Sequence, residues 1–302
     1  MPSWRDTLMT PVRFMTVKTL RTTFGMLERL APTIGAALAE RLWSTVPQGP
    51  VRPADPPGHR FEILVNGHSV SAQSWGDGPA VYLMHGWGGW SGQLDVFVPP
   101  LVGAGFKVVA LDAPSHGASG PGVLGRRRAL QSEFGDALTA AVRALGPAYA
   151  IVGHSAGSAA TAVAVLDGLP TERLVLVAPV ADPRTYTRQF AHLMGFRDRV
   201  HDGLVRRLEE RSGRQMSHFD LVARATGRTD LPPLLVVHDR KDKEVRYSDG
   251  EAISGAWPRA ELRTTSGLGH RRILRDPATV TAVVDYLSKA PVTNTAVAES
   301  VS

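Results

Sequence analysis

The chain has 302 residues, 34 Lys and Arg against 28 Asp and Glu, a formal net charge of +6 and no cysteine. That length holds one large domain or two ordinary ones, and the missing cysteines exclude disulfides, thiolate metal sites and a cysteine nucleophile. The basic excess is scattered and not interleaved with aromatic residues, so it reads as solvated surface rather than a nucleic-acid footprint.

The N-terminus is cut by Arg5, Asp6, Arg13, Lys18 and Arg21. No apolar core of a signal peptide survives those charges. Nowhere does an apolar run reach the roughly 18–20 residues of a membrane span. A cytoplasmic protein is expected.

Residues 1–58 form a unit of their own. Phe14, Val17, Leu20, Phe24, Leu27 and Leu30 recur at helical spacing, and "TIGAALAERLW" after Pro32 makes a second helix. The stretch "VPQGPVRPADPPGHR" then reads as a linker. The apolar stripe of this arm is expected to pack on the body of the protein. A basic amphipathic helix on a membrane surface is the rival reading.

From Phe61 the pattern changes. "FEILVNG" and "HSVSAQSW" form a hairpin turning at Asn66-Gly67. Short apolar runs then alternate with helical patterns. The strands are "AVYLMHG", "FKVVALD", "YAIVGH", "RLVLVAPV", "PLLVVHD" and "AELRTT". The helices include "SGQLDVFVPPLVGAG", interrupted at its prolines, and "RRRALQSEFGDALTAAVRALG". "AGSAATAVAVLDG", "SDGEAISGAW" and "DPATVTAVVDYLSKA" are also helical. Such alternation predicts an α/β fold, a mostly parallel central sheet flanked by helices, over residues 59–290. Between about Asp182 and Leu231 no strand pattern appears. "TYTRQFAHLMGF", "VHDGLVRRLEER" and "SHFDLVARATG" read there as an inserted helical cap. The tail, 291–302, is small and polar and is expected to be disordered.

In such sheets functional groups gather beyond the carboxyl ends of the strands. Gly153-His154-Ser155-Ala156-Gly157 sits between a strand and an Ala-rich helix. G-x-S-x-G in that setting is a nucleophile elbow, in which small flanking residues permit a tight turn that presents the serine oxygen. A plain glycine turn is the bland alternative. A serine needs a base, and the base a carboxylate that holds its tautomer. His270, in a Gly-rich loop after the last strand, supplies the base. The acid comes from "HDRKDKEV": Asp242 is far enough past the strand to reach a histidine loop, with Asp239 and Glu244 as alternatives. An oxyanion requires preorganised N–H donors. The backbone of Ala156 and that of Trp87, in "MHGWGGW", fit that need. The Trp87 indole is expected to line an acyl pocket, with His154 beside it, and His85 to be a structural, hydrogen-bonded histidine.

With these residues in place the chain resembles the α/β-hydrolase superfamily. The matching motifs are "HGWGG", "DAPSHGASG", "GHSAG", "HDRKDKEV" and "GLGH", in the family's order between about Phe61 and Lys289. The resemblance implies the hydrolase fold, a helical cap between strands six and seven, and no cofactor or metal. It makes the loop of His116 structural. Asp239 stands where the family often has glycine, and Arg271 and Arg272 adjoin the histidine, as surface or capping residues or as anchors for an acidic substrate group. The expected activity is hydrolysis of a small carboxylic ester by a Ser-His-Asp triad through an acyl-enzyme. The alternatives are a thioester, lactone or C–C bond, and, less favoured, a non-catalytic binding protein. A serine at position 155 argues against epoxide hydrolases and dehalogenases of this fold, which use aspartate there. No nucleic-acid partner is expected.

Overall fold

The computed structural model describes residues 11–47 and 54–289. The expected disordered tail and the middle of the linker lie outside the described residues.

Strands β1 (His59–Val65) and β2 (His68–Trp75) form the hairpin. Asn66 and Gly67 turn it with φ of 51° and 81°, the left-handed pair that suits the twist of a two-residue hairpin. Then come β3 (Ala80–Met84), β4 (Lys107–Leu111), β5 (Ala148–His154), β6 (Thr171–Val177), β7 (Leu234–Asp239) and β8 (Ala260–Thr265). The sheet order is β1-β2-β4-β3-β5-β6-β7-β8. Every pair from β4 to β8 is parallel, and β2 meets β4 antiparallel.

Burial on both faces explains the apolar strands. Along β3, Val81 and Leu83 face one core with Leu94, Phe97 and Val283, while Tyr82 and Met84 face the other with Phe134 and Leu138. Each large side chain so buried contributes about 1.5–3 kcal/mol. Helices α3 (Val98–Gly103) and α11 (Pro277–Ser288) cover the first face; α4 (Ser132–Leu145) and α5 (Ala156–Leu166) cover the second.

Three helices are shorter than their patterns. The helix expected from Arg126 begins at Ser132. Arg127 takes φ 62°, and the N–H groups of Leu130 and Val123 go to the Glu133 carboxylate at 2.7 and 2.9 Å. "SHFDLVARATG" breaks into a 3-10 turn and a short helix, α8 (Leu221–Ala225). The Asp220 side chain accepts from Ala223 N–H and caps α8. The stretch before α3 likewise forms two 3-10 turns, Ser91–Gln93 and Asp95–Phe97.

The segment between β6 and β7 holds α6 (Pro183–Met194), α7 (Asp198–Ser212) and α8. Asp249, on α9 (Tyr247–Ala256), accepts from Ala181 N–H at 3.1 Å and from the Tyr186 hydroxyl at 2.8 Å, tying the start of this insert to α9.

Ahead of the sheet lie α1 (Pro11–Leu30) and α2 (Pro32–Trp43). Their apolar stripe, expected on the body of the protein, packs there on the inserted helices. Phe24 packs on Phe196 with ring centroids 4.8 Å apart, and Trp43 meets Phe190 edge-on at 5.4 Å. A Cβ on Gly35 would stand 2.7 Å from Val200, and one on Gly203 2.6 Å from Ala36, so α2 and α7 approach closely through their glycines. Glu40, 2 % exposed, binds Arg207 and Arg128, with Arg211 at 3.6 Å. The end of α2 docks on the body loop, Val46 N–H to Arg127 O and Ala129 N–H to Ser44 O. No described helix is long and apolar enough to cross a membrane.

Candidate active site

Ser155 stands between β5 and α5 with φ 55° and ψ −121°, a conformation costly for any residue but glycine. The neighbouring glycines make the turn feasible. A Cβ at Gly153 would lie 2.7 Å from Ser158 Cα, and one at Gly157 only 2.2 Å from His85 O. Neither position admits a larger residue. The serine N–H is held by Val177 O at 2.9 Å.

His270 is the second residue of the short helix α10 (Gly269–Arg272). Its Nε2 lies 2.8 Å from Ser155 Oγ and its Nδ1 2.7 Å from Asp242 Oδ2. Asp242 only accepts, so Nδ1 carries the proton and Nε2 presents its lone pair to the serine hydroxyl. The other carboxylate oxygen of Asp242 accepts the N–H groups of Glu244 at 2.7 Å and Val245 at 3.0 Å. Burial alone would raise the Asp242 pKa; hydrogen bonds from His238, His270 and Val245 outweigh it and hold the carboxyl well below the usual range.

The two rival acids do other things. Asp239 accepts from the Thr265 hydroxyl at 2.8 Å and from the N–H groups of Leu268 and Gly267 at 2.9 and 3.2 Å. It thereby anchors the loop that carries His270. Glu244 pairs with Arg271 at 3.2 Å, and Arg272 donates to the carbonyls of Leu268 and Gly267. Both arginines brace the histidine loop.

His154, expected in the substrate pocket, is not there: its ring is 2 % exposed and packs beneath His270, centroids 4.8 Å apart. Its Nε2 donates to the His270 carbonyl at 2.9 Å. Burial, with the neighbouring His270 charge, lowers its pKa to about 3, so it stays neutral. The physical reason is register: the last residue of a strand buried on both faces points into the protein.

The loop after β3 runs against the serine, since a Cβ on Gly86 would lie 3.0 Å from Ser155 Cβ. Trp87 follows at once, and Ala156 is the first residue of α5, whose first-turn N–H groups lack acceptors within the helix. The Trp87 indole, expected at an acyl pocket, is committed to the arm and the core. It donates to Thr45 O at 3.2 Å and lies parallel to Phe134 with centroids 6.0 Å apart. His85, fully buried, donates from Nδ1 to Gly86 O and accepts from Ala113 N–H at 3.0 Å. Asp112 accepts from Ser91 and Ala118 N–H, so the "DAPSHGASG" loop is a scaffold for the site.

Sequence reasoning passed over His238. It is fully buried, with Nε2 3.5 Å from Asp242 Oδ2, the oxygen that also faces His270. A histidine ending the apolar run of β7, four residues before the acid, was the available signal.

A serine, a histidine and an aspartate joined in line beyond the strand ends of a mostly parallel sheet, with a helical insert after β6, define the α/β-hydrolase class. Residues 78–231, half of the chain, match the model of the hydrolase family described as serine aminopeptidase, S33, and the chain belongs to that family. Solved structures share the fold at low identity. A hydrolase from Pseudomonas aeruginosa PA01 is 22% identical with a TM-score of 0.60, over 77% of this chain and 99% of that one. Est1E from Butyrivibrio proteoclasticus, bound to ferulic acid, is 18% identical with a TM-score of 0.58, over 76% and 96%. A meta-cleavage product hydrolase from Pseudomonas fluorescens IP01 is 20% identical with a TM-score of 0.55, over 75% and 96%. No match is found among the curated proteins.

Proposed function

We propose that this hydrolase cleaves carboxylic esters with Ser155 as nucleophile, His270 as general base and acid, and Asp242 as the group that orients and stabilises the imidazolium. The observation that carries the proposal is the unbroken line Asp242–His270–Ser155, at 2.7 and 2.8 Å. Ser155 Oγ attacks the acyl carbon as its proton passes to His270 Nε2. The backbone N–H groups of Ala156 and Trp87 receive the oxyanion. His270 then returns the proton to the departing alkoxide, leaving an acyl-serine. A water molecule, deprotonated by the same nitrogen, attacks that acyl group, and the proton goes back to the serine as the acid leaves.

An ester is favoured because its alkoxide leaves readily once protonated by a single positioned histidine. Nitrophenyl esters, an acyl thioester, a lactone, a vinylogous diketone and an aminoacyl nitroanilide, offered to purified protein, test the choice. Ester turnover is expected to lead the panel and to vanish in Ser155→Ala. Undiminished ester turnover in Ser155→Ala would falsify the mechanism. Faster turnover of another member would replace the ester, leaving the mechanism standing. A fluorophosphonate that fails to label Ser155 would make the fold a non-catalytic binding module.

A further inference from the structure

Three of the most exposed large apolar side chains sit on one feature, the elbow where α1 turns into α2: Met26 at 58%, Leu30 at 78% and Ile34 at 63% exposure. Along α1, Lys18, Thr22, Met26 and Leu30 follow at four-residue spacing and form one stripe, with Arg29 beside Leu30. The opposite stripe, with Phe24 fully buried, faces the insert. Thr22, Gly25, Met26, Arg29 and Leu30 line a shallow, open depression along this face.

Charge decides what fits this tip. Lys18, Arg29 and Arg41 are exposed on the two helices, while Arg21 turns to the insert and donates to the His192 and Leu193 carbonyls. Both of their acids are withdrawn. Glu28 accepts the N–H groups of Arg197, Arg199 and Val200 at the start of α7, and Glu40 is buried among arginines. Arg199 adds an exposed cation that donates to the Glu28 and Arg29 carbonyls, closing the end of α1. The exposed acids of α7 nearby in sequence, Asp198 and Asp202, stand beside Arg188 and His201.

We propose that the α1–α2 elbow is a membrane-docking tip, which seats Met26, Leu30 and Ile34 among the headgroups of an anionic bilayer while Lys18, Arg29 and their neighbours meet the lipid charge. An apolar tip rimmed on its own helices only by cations is complementary to such a surface. A second copy of the chain is a poorer occupant, because a two-fold contact would set the same cations face to face. Docking there turns one end of α2 to the lipid. The other end leads to Thr45 and Pro47, against Trp87 and Gly88 of the site loop. At 12 residues the helix spans about 18 Å.

The test is sedimentation of the full chain with vesicles of phosphatidylcholine alone and of phosphatidylcholine mixed with phosphatidylglycerol. It reads binding and not turnover, so its outcome is independent of the proposed ester chemistry. Pelleting is expected with the anionic vesicles, weakening as salt rises. Met26→Ser/Leu30→Ser/Ile34→Ser is expected to lower the bound-to-free ratio by about tenfold or more, with the melting curve and soluble-ester turnover of the parent. Lys18→Glu/Arg29→Glu, which leaves the apolar tip intact, should also lower it. Equal pelleting of both variants and the parent, or equal binding to neutral vesicles, would overturn the proposal. So would a vesicle-independent dimer, seen by light scattering and lost in the triple variant, which would give the tip to a second copy.

Discussion

In an Asp242→Asn variant, the surrounding hydrogen bonds dictate how the new amide must face. Oδ1 of Asp242 accepts two backbone N–H groups, from Glu244 at 2.7 Å and Val245 at 3.0 Å. An asparagine keeps its oxygen there, because its NH2 cannot accept. The NH2 then takes the place of Oδ2, 2.7 Å from His270 Nδ1. Facing a donor, Nδ1 becomes an acceptor and the ring proton moves to Nε2. Nε2 now points a proton at Ser155 Oγ, 2.8 Å away, and cannot take one from it. The wrong tautomer costs about 10⁴-fold in kcat, or ~5.5 kcal/mol of transition-state stabilisation. The assay is kcat and kcat/KM on a soluble nitrophenyl ester, with circular dichroism and the melting curve to show that the variant is folded. A folded variant keeping more than about a tenth of the parent's kcat would refute the argument, since a tautomer lock admits no such residue of activity.

Asp239→Asn should act on stability more than on chemistry. One of its two acceptor positions becomes a donor facing existing donors, at a cost of about 1–3 kcal/mol in urea denaturation, with a smaller loss of kcat than Asp242→Asn; the reverse order of the two kcat values would exchange their roles. Burial alone would raise the Asp239 pKa, but the hydrogen bonds from Thr265, Leu268 and Lys241 outweigh it and lower it. The stability it adds is therefore present above the ordinary carboxylate range, and the gap between parent and variant should close as pH falls below about 4. His116 gives a pH effect at milder acidity. Burial and the neighbouring His85 lower its pKa to about 3, so the folded chain binds fewer protons than the unfolded one between about pH 6.5 and that value. Its contribution is complete above about pH 6.5 and is lost as pH falls, by about 1.4 kcal/mol per unit. His116→Gln should flatten the stability slope between pH 6 and 5 by about that amount; identical slopes in parent and variant would show that His116 is charged in the fold.

How much of the site could be read in advance depends on the range of the force involved. Gly153 and Gly157 were legible because a tight elbow forbids a Cβ through its own backbone geometry. The hairpin at Asn66-Gly67 was legible for the same reason. The start of α4 at Ser132 was not, because Glu133 captures two N–H groups from the preceding loop, and the arm holds that loop from far along the chain. Periodicity counts residues on a face and is blind to such competitors. The Trp87 indole followed the same rule: its partners, Thr45 and Phe134, are 42 and 47 positions away, by the difference of their numbers.

The sequence by itself determined the alternation of apolar strands and helices, the elbow at Ser155 and the order of the groups behind it, since all of these are written in local sterics and in periods of two and 3.6 residues. Only the tertiary structure decided which of three neighbouring acids meets His270. Asp239, Asp242 and Glu244 lie within six positions of one another, and a turn of the chain sends each to a different partner: the histidine loop, the histidine itself and Arg271. It also decided that α1 and α2 pack on the inserted helices, leaving Met26, Leu30 and Ile34 outward. An amphipathic pattern specifies that a face must be buried; what buries it depends on surfaces that come together only when the whole chain has folded.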